Sequence, residues 1–149
     1  MTMEHSHMVQ RIEKLLDAIE KRIPSYMANP SDANIANGNL AVCIIDSDGY
    51  VYGRLFGTDR IRRRSSYRIA WVKASQVWIT GIATGKFEKM VYTDQASAEA
   101  LGIMKPDLIG WEGGQPIVLD HETTLSVGFS GLRGESDLDI VTKAIADIR

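Results

Sequence analysis

The sequence has almost nothing with which to cross-link itself. Its single cysteine, Cys43, excludes an internal disulfide. A lone cysteine in an apolar run reads as a buried strand thiol. No histidine or helix start stands near it in sequence to make it a reactive thiolate. Histidines are also scarce: His5, His7 and His121 are the whole set, and no Cys/His/carboxylate cluster has zinc spacing, so no metal site is expected. His5 and His7 fall in a terminus expected to be loose, and His121 falls in a turn, where it is either solvent-exposed or a ligand to a bound group. No apolar run approaches the ~20 residues of a membrane span. The start, with Glu4 and two histidines before a charged periodic stretch, has no apolar core of a secretion signal. No membrane association and a cytoplasmic location are the expectations. Charge of one sign is missing too: 17 Lys and Arg stand against 19 Asp and Glu, which argues against non-specific nucleic-acid binding.

What is present is the composition of an ordinary globular chain, 44% hydrophobic and 24% charged. A chain of 149 residues reads as one domain. It can bury ~68–70% of its unfolded surface without a metal or disulfide to help.

Residues 8–27 read as an amphipathic helix. Ile12, Leu15, Leu16 and Ile19 recur at helical spacing, and Pro24 is expected to end or kink it. Residues 29–39 are polar and read as a loop or a weak helical turn. The run 40–45, continuous and rich in β-branched residues, predicts a strand buried on both faces. Asp46-Ser47-Asp48-Gly49 is turn chemistry, and residues 50–56 return as a second strand. Arg62, Arg63 and Arg64 are expected just before a helix over 65–82, which carries Trp71, Lys73 and Trp78. The tryptophans read as core or subunit interface. Residues 87–93 are ambiguous between strand and loop, and 95–101 predict a short helix stopped by Gly102. Strands over 116–119 and 123–129 flank the turn Asp120-His121-Glu122, and Ser136 or Asp137 caps a last helix through 148. Two hairpins among helices predict an α/β (α+β) sandwich of the profilin or PAS type, a mainly antiparallel sheet flanked by helices.

Two glycine-rich loops dominate the C-terminal third, Gly110 to Ile117 and Ser130 to Asp137. Such loops let backbone approach a ligand or a partner closely. Three pieces then fall together. One is the strand of residues 42–45 with Asp46 and the Gly49 turn. The second is Ala70-Trp71-Val72-Lys73-Ala74. The third is Gly113-Gly114-Gln115-Pro116-Ile117 with Gly128-Phe129-Ser130-Gly131 and, six residues on, Asp137. Together they resemble the GlcG/HbpS-like haem-binding family, which also includes the C-terminal domain of PduO. The resemblance covers residues 35–148 and leaves 1–34 as an N-terminal helix and loop. It implies a profilin-like fold, homo-oligomers from dimers upward, and a small-molecule pocket near the glycine loops and the Lys73 helix. Some members bind haem, and haem degradation has been attributed to them. The chain departs from the family pattern at Leu132-Arg133, at the glycine-free turn Asp120-His121-Glu122, at Phe56-Gly57-Thr58-Asp59, and in the bulky charged lip Trp111-Glu112.

Candidate site residues follow. Gly113, Gly114, Ser130 and Gly131 either present backbone N–H groups to a ligand or make tight turns. Arg64 and its neighbours, with Arg133, either hold a carboxylate such as a haem propionate or are solvated. Lys73 either snorkels or donates to a ligand, to Glu112 or to Asp137. Trp111 offers an apolar wall. Glu112 and Asp137 are the acid/base candidates, set against a rim salt bridge from Glu112 to Arg133 and a helix cap for Asp137. Three functions remain open. One is a small-molecule-binding protein, with haem or another carboxylate-bearing ligand. Another is a cofactor-independent isomerase or lyase acting on a small organic acid through Glu112 and Asp137. The last is a ligand-free subunit of a structural oligomer.

Overall fold

The computed structural model describes residues 3–149. The elements in chain order are α1 (Met3–Met27), α2 (Pro30–Ala36), β1 (Leu40–Ile45), β2 (Val51–Phe56), α3 (Arg60–Thr80), α4 (Thr84–Tyr92), a single 3-10 turn (Glu99–Leu101), β3 (Gly114–Val118), β4 (Thr124–Ser130) and α5 (Gly134–Asp147). The four strands form one open antiparallel sheet in the order β2-β1-β4-β3. Helices cover both faces, as the mixed α+β reading expects. No helix among the described residues is long and apolar enough to cross a membrane.

The two faces of the sheet are built differently. One packs on α1 and α5 through Leu40, Val42, Ile44, Leu125, Val127 and Phe129, which meet Ile12, Leu15, Ile19, Ile140 and Val141 in the main core. Successive strand residues point to opposite faces, so the alternate residues of β1 face α3. These are Ala41, Cys43 and Ile45, and they pack on Ala70 and Ala74. Small residues on both sides bring α3 onto the sheet backbone. Gly128 on β4 marks the closest approach: a Cβ there would lie 2.1 Å from the Ala70 carbonyl oxygen. Every residue of β1 is buried, which explains its unbroken apolar run.

Several sequence expectations shift. Helix α1 begins at Met3 and continues through Pro24, so His5 and His7 sit on its first turns and not in a loose terminus. The polar 29–39 segment holds α2, with Asn29 accepting from the Ser31 and Asp32 amides and Pro30 at the first helical position. Helix α3 starts at Arg60 because Asp59 caps it, accepting from Ile61 N and Arg62 N. Arg62, Arg63 and Arg64 therefore lie inside the helix, not before it. The ambiguous 87–93 segment is helical in α4, and the 95–101 helix shrinks to the single turn before Gly102. Helix α5 begins at Gly134. Neither Ser136 nor Asp137 caps it, since both side chains are engaged elsewhere.

If the glycine on β4 sets the helix–sheet spacing, Gly128→Ala must push α3 outward. We expect a loss of about 1–3 kcal/mol of unfolding free energy in urea titrations, as for overpacked cores. An unchanged midpoint would remove this account of the spacing.

Candidate functional site

Lys73 is on the sheet-facing side of α3 and is buried, with its side chain 2% exposed. Its Nζ donates to the Phe129 carbonyl at 2.8 Å and to Asp137 Oδ2 at 3.2 Å. The other carboxylate oxygen of Asp137 accepts from the Leu132 amide at 2.9 Å. The buried pair thus ties α3, β4 and the start of α5 at one point. Gly113, at φ 122°, closes over it: a Cβ there would lie 2.7 Å from Lys73 Nζ and 2.9 Å from Asp137 Cβ. Gly114 packs on Lys73 Cβ and Thr84, and Gly131 on Leu40. Ser130 is buried in β4. The glycine loops do make close approaches, and what they approach is the protein's own lysine and helix.

Burial raises Asp137 to about 7, against the opposing pull of Lys73 and the Leu132 amide. Burial also lowers Lys73, with Asp137 opposing. Each group is pushed toward its neutral form, the expected result of removing charge from water.

The remaining sequence candidates are dispersed. Glu112 is exposed and lines a separate cleft of about 320 Å³ with Thr84, Lys86, Lys89 and Leu138. Asp137 does not line that cleft. Trp111 is 68% exposed, and its carbonyl accepts from Thr84 Oγ1 at 2.6 Å. Arg64 is exposed on α3. Arg133 pairs with Asp32 and Glu135, not with Glu112. Asp32 was missed in the sequence. It is 1% exposed and accepts from Arg133 N, from the Arg133 guanidinium and from Ser136 Oγ. Burial alone would raise its pKa, but these donors hold it below the ordinary carboxylate range. Its signal was the Asn29-Pro30 helix start, which makes residue 32 a first-turn acid.

The largest of the clefts described, about 980 Å³, lies elsewhere. One wall is the first turns of α1, with His5, His7, Met8 and Arg11. The other is formed by the β1–β2 turn through Asp48 and Tyr50, and by Glu122 and Thr123 between β3 and β4. The His5 and Tyr50 rings lie 4.0 Å apart, tilted by 36°. Arg11 reaches Asp120 at 2.8 Å. His121 is exposed in the β3–β4 turn and does not line this cleft. Only the packing of α1 across two distant turns brings these residues together, so no spacing in the sequence announces them.

Removing one partner of a buried pair strands the other as an unpaired charge or donor. Lys73→Met should therefore cost about 3–5 kcal/mol in urea unfolding. The pH profile has a definite sign. Asp137 holds its proton more tightly in the folded chain, so its contribution is full at low pH and is lost as pH rises toward about 7. Asp32, Asp120, Asp139 and Asp147 are held low, so their effect is complete by about pH 5. Between about pH 4 and pH 7 the wild-type chain should lose stability relative to Asp137→Asn. Parallel profiles would contradict the raised Asp137.

The fold has clear solved relatives, although no curated protein matches the sequence. The PduOC:heme complex superposes with a TM-score of 0.66 at 20% identity, covering 92% of this chain and 91% of that one. Klebsiella pneumoniae protein ORFY gives 0.65 at 19% identity, covering 92% and 86%. A double mutant of Streptomyces reticuli HbpS gives 0.58 at 15% identity, covering 92% and 85%. At these identities the likeness is one of fold. The family model described as haem degrading protein HbpS-like matches residues 28–146, most of the sequence, and the chain belongs to that family.

Proposed function

We propose that this chain is a haem-binding protein whose site is the cleft between the start of α1 and the β1–β2 and β3–β4 turns. One observation carries the reading. The largest cleft among those described, about 980 Å³, is also where His5, His7, Met8 and Arg11 converge. Haem iron takes imidazole or thioether axial ligands, and its propionates pair with guanidinium groups. Lys73 and the glycine loops, by contrast, fill the space between them with their own buried pair.

The donor set fits the group with one constraint. Glu4, Asp46, Asp48 and Glu122 share the cleft with Arg11. The Asp46 carboxylate is committed to its own turn, accepting from Asp48 N, Tyr50 N and Tyr52 OH. The other acids would repel propionates, and Arg11 already pairs with Asp120, so these fit only where they share the Arg11 guanidinium with Asp120 or out in water. The Tyr50 ring stacks on His5 and restricts the orientation of that imidazole. Haem, when bound, supplies a redox-active iron. His5 or His7 would hold the iron, Met8 and Tyr50 would offer an apolar wall, and Arg11 would contact an anionic group. Membership of the family and the haem complex formed by PduOC support this reading.

Haem titration followed by the Soret band tests it. Removing the iron donor, as in His5→Ala with His7→Ala, should weaken binding by about tenfold or more and shift the band, each tenfold being 1.4 kcal/mol. Arg11→Ala should weaken binding while leaving the band position unchanged. A double histidine variant with wild-type affinity and spectrum would defeat the assignment.

A further inference from the structure

A second cleft lies on the α3 side of the β1–β2 turn and has different chemistry. It encloses about 370 Å³ and is walled by Trp71, Trp78, Ile45, Val51, Val72 and Ile103. The two tryptophans were expected in a core or an interface. In the single chain they are 45% and 47% exposed, outside its core, with Val51 at 50% and Ile79 at 48% beside them. Such a patch of large apolar groups costs solvation and marks a binding surface.

The walls are held in place. Trp78 Nε1 donates to the Asp46 carbonyl at 2.9 Å, and its ring lies over Gly49. Gln76 is buried and works as a two-way clip: its Nε2 donates to Ile109 O, and its Oε1 accepts from Ile109 N, each at 3.0 Å. The clip fixes the segment that follows Ile103 and Asp107 against α3. A site pre-organised in this way loses little entropy on binding.

Charge selects the occupant. Among the described residues, Asp107 is the only ionisable one lining the cleft, and no lysine, arginine or histidine lines it. Arg68, one turn before Trp71, is not among the lining residues. Indole faces carry negative electrostatic potential and attract cations. Two indoles and one carboxylate therefore favour a cation with an apolar body and disfavour a dicarboxylate such as haem. We propose that the Trp71/Trp78 cleft is a binding site for organic cations of the aryl- or alkylammonium class, separate from the cleft at α1.

The test compares three probes with the same benzyl body: benzyltrimethylammonium, benzyl alcohol and phenylacetate. Tryptophan fluorescence is read in a Trp111→Phe background, which leaves only the two cleft indoles. The cation should bind about tenfold more tightly than the alcohol, and phenylacetate weakest of all. Added salt should weaken the cation alone. Asp107→Asn alters an exposed side chain. It should abolish the cation's advantage and leave the alcohol's affinity unchanged. Trp71→Tyr should retain more cation binding than Trp71→Ala, with both variants matching the parent in urea midpoint. Phenylacetate binding as well as the cation, or an undiminished preference in Asp107→Asn, would overturn the proposal. So would a dimer in sedimentation that Trp71→Ala dissolves while no probe quenches, because a second copy would then fill the cleft.

Discussion

The Lys73–Asp137 pair is the constraint around which this fold is arranged. A lysine on the sheet-facing side of α3 needs hydrogen-bond acceptors, because a buried ammonium without them is very costly. Phe129 O supplies one from β4 and Asp137 the other from the first turn of α5. That requirement brings the start of α5 to the sheet. It also dictates the residue at 113, where any side chain would collide with Nζ. A buried pair of this kind adds little net stability compared with apolar packing. What it contributes here is position: α3, β4 and α5 share one registration point.

The sheet's asymmetry follows from the same requirement. Lys73 can reach Phe129 O only if α3 lies close to the strands. Gly128, Ala41, Cys43, Ala70 and Ala74 keep that interface thin. The opposite face has no such demand and is filled by large aliphatic residues and Phe129 from the sheet with α1 and α5. The longer apolar side chains thus sit on one face, and the backbone contacts and the pair on the other.

Periodicity and turn chemistry made much of this legible. The unbroken apolar run at 40–45 pointed to a strand covered on both sides, and it is the central β1. Gly49 and Asp46 make the expected turn. Lys73 pairs with Asp137, one of the two protein partners considered for it. Helix starts were harder. Asn29 and Asp59 each cap a helix with a side-chain oxygen, but the arginines and polar residues beside them dominated the reading as loop. The glycines carried a real signal of close approach, yet a glycine does not say whether a ligand or the protein's own helix approaches it. The clefts were the least legible. His5, Arg11, Tyr50 and Glu122 line one cleft only through tertiary packing.

The segment from Asp46 to Tyr50 joins the two clefts. Its backbone carbonyl at Asp46 holds Trp78 on one side, and Tyr50 stacks on His5 on the other. Asp46 fixes the turn from within, its carboxylate accepting from two amides and from Tyr52 OH. A short, heavily bonded turn has few alternative conformations. It can therefore serve as a rigid wall for two sites of different chemistry. Coupling between sites requires an element with two arrangements that both ligands bias, and this turn is held by its own hydrogen bonds. On that ground a cation at Trp71 and Trp78 and a haem at α1 should bind independently.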